Sequence, residues 1–134
     1  MHRVPGRRLW VFSIGCLLVV GCGASGPKMY PISGTVTWES EPLSAGDITF
    51  TPVDEHIVPV AGKIVDGGYR LEAPAGAMKV AIFAIRPIGP PQPEMGAQPH
   101  EMYIPVRYNH ETTLTATVEA QGKNHFEYEL TVEE

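Results

Sequence analysis

Few side chains in this 134-residue chain stand where chemistry could be expected of them, and Cys22 is the first. It closes Val19-Val20-Gly21-Cys22, directly after an apolar run over residues 9–20 and directly before Gly23, Ala24 and Ser25. A small residue ahead of a cysteine leaves the peptide bond open to a peptidase, and a thiol is the nucleophile that accepts a diacylglyceryl group. The chemistry expected at Cys22 is therefore lipidation. Cys16 lies inside the apolar run and would be removed with it, so no disulfide is expected. Asp54-Glu55-His56 is the densest polar cluster and offers a divalent-metal site as an alternative role, although it lacks the alternating oxygen ligands of a calcium loop. His56, His100, His110 and His125 occur in no spacing that would put two metal ligands on one face, so they read as surface histidines. No G-x-S-x-G elbow or other nucleophile pattern occurs. No catalytic residue is nominated, and no cofactor is implied.

A second group surrounds a proline-rich stretch over residues 87–105, PIGPPQPEMGAQPHEMYIP, which contains six prolines. Arg86, Met102, Tyr103, Arg107 and Tyr108 flank it or lie in it. Aromatic contact area combined with arginine forks is how interface hot spots are composed, so these five are the candidate partner-binding residues. The competing reading packs Tyr108 on the edge of the fold and leaves both arginines in water. Proline removes a ladder donor, which excludes a central strand here. A connection of this length without alternation is expected to be mobile, or else functional.

The elements that would position these groups are legible from patterning. Residues 1–8 carry Arg3, Arg7 and Arg8 and no acid, and the apolar run that follows is 12 residues long. A spanning helix needs roughly 20, so residues 1–21 read as a secretory signal. Val19 to Cys22 resembles the lipobox of bacterial lipoproteins, with Val at a position where Leu is commoner. Gly23 follows the cysteine, without the Asp that retains enterobacterial lipoproteins at the inner membrane, so an outer-membrane lipoprotein of the bacterial cell envelope is expected, facing periplasm or cell surface. Residues 22–29 then form the lipidated cysteine and a Gly/Ser/Pro tether, and residues 30–134 one domain. Without residues 1–21 the chain keeps seven basic residues against all 15 acidic ones, a formal charge of −8. Such a surface disfavours nucleic acid and anionic lipid alike, so the lipid itself must supply membrane attachment.

Beyond Tyr30, period-two alternation recurs between turn residues. Ile32, Val36 and Trp38 share one face, as do Ile48 and Phe50, Tyr69 and Leu71, and Phe126, Tyr128, Leu130 and Val132. The continuous run over 80–85 predicts a central strand covered on both sides. Seven strands are expected, over 32–38, 47–52, 58–65, 69–73, 77–86, 113–119 and 124–132. Their economical assembly is an all-β, seven-stranded Greek-key β-sandwich.

Three stretches carry a resemblance to the transthyretin-like lipoproteins of planctomycete-type bacteria, related in architecture to the carboxypeptidase regulatory-like domain. ISGTVTWESEPLSAGDITFTP places Gly34, Val36, Pro42, Leu43, Ile48, Phe50 and Pro52. AGKIVDGGYRLEAPAGAMKVAI places Gly62, Ile64, Gly68, Tyr69, Pro74 and Gly76, with Met78 where the group more often has an aromatic. YIPVRYNHETTLTATVEAQGKNHFEYEL places Pro105, Tyr108, Leu114, Val118, Gly122, Asn124 and Phe126. The resemblance implies a prealbumin-like sandwich without assigned activity. A transthyretin-like hydrolase of purine degradation ends in Tyr-Arg-Gly-Ser, whereas this chain ends ELTVEE. The expectation is a non-enzymatic, lipid-anchored module that is structural or binds a protein or carbohydrate partner; the alternative is a periplasmic metal- or small-ligand-binding domain.

Overall fold

The computed structural model describes residues 26–133; the expected signal segment over 1–21 and the expected lipidation site Cys22 lie outside the described residues. Ten strands appear in order: β1 (Met29–Trp38), β2 (Glu41–Pro42), β3 (Ala45–Pro52), β4 (Val60–Val65), β5 (Gly68–Pro74), β6 (Gly76–Phe83), β7 (Ile85–Pro87), β8 (His100–Met102), β9 (Thr115–Val118) and β10 (Asn124–Leu130). The seven expected strands correspond to β1, β3, β4, β5, β6, β9 and β10. They follow one path, β10-β1-β5-β4-β3-β6-β9, in which β4 and β5 share a single ladder pair, Val65 with Gly68. The sheet therefore folds over at that hairpin into two layers, β10-β1-β5 against β4-β3-β6-β9. Neighbours that are not consecutive in sequence give the Greek-key crossings. Asp66 and Gly67 at the fold-over have φ of 50° and 80°, the two left-handed residues that a tight hairpin needs.

Alternation explains what lies between the layers. Ile32, Val36, Tyr69, Ala73, Tyr128 and Leu130 point inward from one; Ile48, Phe50, Ile64, Met78, Val80 and Ile82 point inward from the other. Phe50 meets Tyr69 and Phe126 across the gap, with ring centroids 6.0 and 6.4 Å apart. Val132 continues the sequence alternation but lies beyond the end of β10, exposed. Asn124 opens β10 by accepting from the Glu119 N–H at 2.8 Å and donating to its carbonyl at 2.9 Å, which closes the preceding turn.

Gly34 marks the closest approach in the core. Tyr69 passes over it to donate its hydroxyl to the Phe126 carbonyl at 2.8 Å, tying β5 to β10 across β1. Burial raises the Tyr69 hydroxyl far above its ordinary pKa, with the neighbouring Tyr128 adding to the effect, and burial pushes Tyr128 up to about 12. An unfolded tyrosine ionises near pH 10. The contribution of both groups is thus complete below pH 10 and is lost as pH rises through 12, because the unfolded chain releases its protons first. Urea midpoints should hold between pH 8 and about 9.5 and fall steadily above pH 10. A flat profile to pH 12 would place the tyrosines in water.

Two expectations need correction. The predicted strand over 77–86 breaks at Ala84, and β6 is not covered on both sides. Met78, Val80 and Ile82 face the core, whereas Lys79 is exposed and Ala81 and Phe83 are half-buried. The continuous apolar run reflects a strand whose outer face is only partly covered, with Phe83 edge-on to His110 at 5.5 Å. The proline-rich segment, expected to lack regular structure, is tied at its two ends into a short ribbon of β7 and β8, while residues 88–99 between them form a loop with one 3-10 turn. Prolines are tolerated because such a ribbon consists only of edges.

Candidate functional site

The ribbon forms an arm. Its strands pair Ile85 with Met102, Arg86 with Glu101 and Pro87 with His100. Beyond them the Ile88 N–H donates to the Pro99 carbonyl at 2.8 Å and the Gln98 amide to the Gly89 carbonyl at 2.9 Å. A 3-10 turn over Pro93–Met95 makes the tip and ends on Gly96, whose φ is 72°. Alternation gives the arm two faces. On one, the Arg86 Nε donates to the Glu101 carboxylate at 2.6 Å, the guanidinium lies 5.2 Å over the Tyr103 ring, and Tyr103 meets Trp38 edge-on at 5.5 Å. On the other, Ile85 and Met102 stand side by side, 62% and 46% exposed.

The arm's base is locked by a residue that sequence reading passed over. Asn109 is 3% exposed. Its amide faces the carbonyls of Ile82, Ile104 and Pro105 at 3.4, 3.2 and 3.2 Å, and its Oδ1 accepts from the His110 N–H at 2.8 Å. One side chain thus joins the end of β6 to the segment that follows β8. In sequence it reads as a polar turn residue beside His110; no local signal reports that the surrounding carbonyls converge on it.

Arg107 and Tyr108, in the 3-10 turn Val106–Tyr108, hold the end of the chain. Arg107 donates to the carbonyls of Thr131 and Glu133 at 2.6 and 2.7 Å and stacks over Tyr108 at 4.8 Å, while the Tyr108 hydroxyl accepts from the Thr131 N–H at 3.2 Å. Desolvation raises the Tyr108 pKa, but the bonds from Thr131 and Arg107 and the charge of Arg107 outweigh it and leave the hydroxyl below its ordinary value. The five candidate residues therefore gather at one end of the sandwich in separate roles. Arg86 and Tyr103 brace the arm, Arg107 and Tyr108 clasp residues 131–133, and Met102 is left facing solvent.

The metal alternative finds no geometry. Asp54 Oδ1 accepts from the His56 N–H at 3.0 Å, an ordinary use of Asp in a turn. Among the described residues no group of three His, Cys, Asp or Glu side chains is placed to hold a metal ion.

A trough of about 850 Å³ runs over the outer face of β5-β1-β10, with Ser33, Arg70, Lys123 and His125 on its walls. Ser33 Oγ lies 3.3 Å from His125 Nδ1, and Glu127 lies 3.5 Å from Nε2. Parallel pairing of β1 with β10 puts Ser33 opposite His125 across 92 residues of sequence, which is why motif reading missed the pair. The His125 side chain is half exposed and that of Glu127 mostly exposed, and both contacts are long.

The strands also give the molecule two distinct ends. β1 runs about 30 Å from Met29, beside Pro74, to Trp38, beside Leu130 and under Tyr103. The chain enters at one end and the arm projects at the other. No family model and no curated protein matches the chain. Among solved structures it is similar to a DUF3823 family protein from Parabacteroides merdae, with 16% identity and a TM-score of 0.39 over 79% of this chain. The chain spans 46% of that protein's length.

Proposed function

We propose that this protein is a non-enzymatic, lipid-anchored β-sandwich of the bacterial cell envelope, of the transthyretin-like and carboxypeptidase regulatory-like kind, that presents its arm to a protein partner. The observation that carries the reading is the exposed Ile85–Met102 pair, held out on a braced ribbon at the end remote from the tether. A protein suits this surface better than a carbohydrate, because the Tyr103 ring that could stack on sugar already carries the Arg86 guanidinium and meets Trp38 edge-on. A photo-crosslinking residue at position 102 should give a discrete adduct in intact cells that disappears with Ile85→Glu. The same adducts from position 129, on the outer face of β10, would contradict the proposal. Cys22→Ser should release the protein from the membrane fraction; unchanged retention would overturn the anchor.

The trough favours a second reading, a periplasmic site for a small anionic ligand between Arg70 and Lys123. Thermal-shift titration with carboxylates and phosphates tests it. Stabilisation that Arg70→Ala abolishes would support it, and an unmoved melting curve across the panel would remove it.

A further inference from the structure

Among the described residues nine large hydrophobic side chains are exposed, and they fall at the two ends of the sandwich. Val65, Ile85, Ile88, Met102, Val106 and Val132 lie at the arm end. Met29, Val53 and Val58, 39%, 63% and 78% exposed, lie at the end where the chain enters. There the loop between β3 and β4 stands against the start of β1, and Met29, Val58, Pro27 and Pro59 line a shallow cleft of about 260 Å³. No turn needs these apolar groups in water, since Asp54 already closes its own loop.

We propose that this entry end is a membrane-docking face: Met29, Val53 and Val58 enter the interface between lipid headgroups and acyl chains. The inference rests on the lipid anchor proposed above and adds an orientation to it. Six residues separate Cys22 from Met29, and the seven Cα steps reach at most about 25 Å when fully extended. Three side chains are too few to hold a free domain on a bilayer. A short tether keeps them at high effective concentration beside it, so the second contact is intramolecular. The charges near this end are Lys28 and Lys123 against Asp54, Glu55, Glu72 and Glu119, a mildly acidic set. The face therefore suits the apolar boundary of a zwitterionic bilayer and gains nothing from anionic headgroups. Docked this way, the sandwich stands upright and carries the arm away from the membrane.

The test uses the full-length gene product, purified in its lipidated form and reconstituted in phosphatidylcholine vesicles. Acylated Cys22 offers no thiol and Cys16 is removed with the signal, so Val58→Cys supplies a single labelling site. A fluorophore there should lose about half its emission or more when the lipids carry bromine near the headgroup, while the same label at Gln98→Cys on the arm is unchanged. Adding Met29→Asp and Val53→Asp should return the position-58 label to the arm's value without releasing protein from the vesicles. Equal quenching at both positions, or none at position 58, overturns the docking face while leaving the anchor intact. Protein that fails to stay on the vesicles overturns the anchor, and the docking face falls with it.

Discussion

Gly34→Ala is expected to lower stability by about 3 kcal/mol or more, roughly 15 °C in melting temperature. A Cβ at this position would lie 1.8 Å from the Phe126 carbonyl oxygen and 2.4 Å from the Tyr69 hydroxyl. The first contact is with backbone in the paired strand β10, so it cannot be relieved by a side-chain rotation. The second displaces the hydroxyl that bonds that same carbonyl. Tyr69→Phe removes only the bond and should cost about 1–2 kcal/mol. Combining the two substitutions should not rescue the protein, because the clash with Phe126 remains. Gly68→Ala is the matched control. Its nearest neighbour would be the Val65 carbonyl oxygen at 3.7 Å, so a change within about 0.5 kcal/mol is expected. Urea unfolding of the four variants checks the series, and equal losses for Gly34→Ala and Gly68→Ala would show that β1 and β10 are not paired in this register.

Asn109→Asp should cost about 3–5 kcal/mol at pH 7, although it changes one atom. The amide nitrogen points at three carbonyl oxygens. In a carboxylate one oxygen keeps the His110 N–H, but the oxygen that replaces the amide nitrogen faces acceptors only, in a site with 3% exposure. Burial and those dipoles raise the folded pKa of such an acid above its unfolded value. The penalty is therefore greatest well above the unfolded pKa and shrinks as pH falls, when the protonated acid regains one donor. Unfolding curves at pH 7 and at about pH 4.5 measure it. A small, pH-independent loss would mean that the arm's base is open to water. Because Asn109 links Ile82 to Ile104 and Pro105, the variant should also loosen the arm before the sheets separate.

The core was legible because it is written in alternation. Ile32, Val36, Ile48, Phe50, Tyr69, Tyr128 and Leu130 were all placed on the face they occupy. Gly34 and Tyr69 could be read only as local strand and turn residues; that one exists to let the other pass needs three strands in register. The run over 80–85 misled because apolar residues on an outer face look the same as a covered strand when part of a returning chain shields them. Arg86, Tyr103, Arg107 and Tyr108 share one end of the sandwich, but their sequence neighbourhood could not assign their work. Arginines read as free forks have their donors taken by Glu101 and by the carbonyls of Thr131 and Glu133. Asn109 and the Ser33–His125 pair were invisible, since both depend on neighbours far away in the chain.

Presentation of a partner surface requires the proline-rich arm to be a built element braced against Trp38. Amide hydrogen exchange followed by NMR tests this most directly. The N–H groups of Ile88 and Tyr103, bonded to the carbonyls of Pro99 and Ala84, should exchange at least about tenfold more slowly than those of an unstructured chain, and Trp38→Ala should erase that protection while β1 and β3 keep theirs. Free-chain exchange rates at Ile88 and Tyr103 in the native protein would contradict it, and the presentation of Ile85 and Met102 would lose its basis.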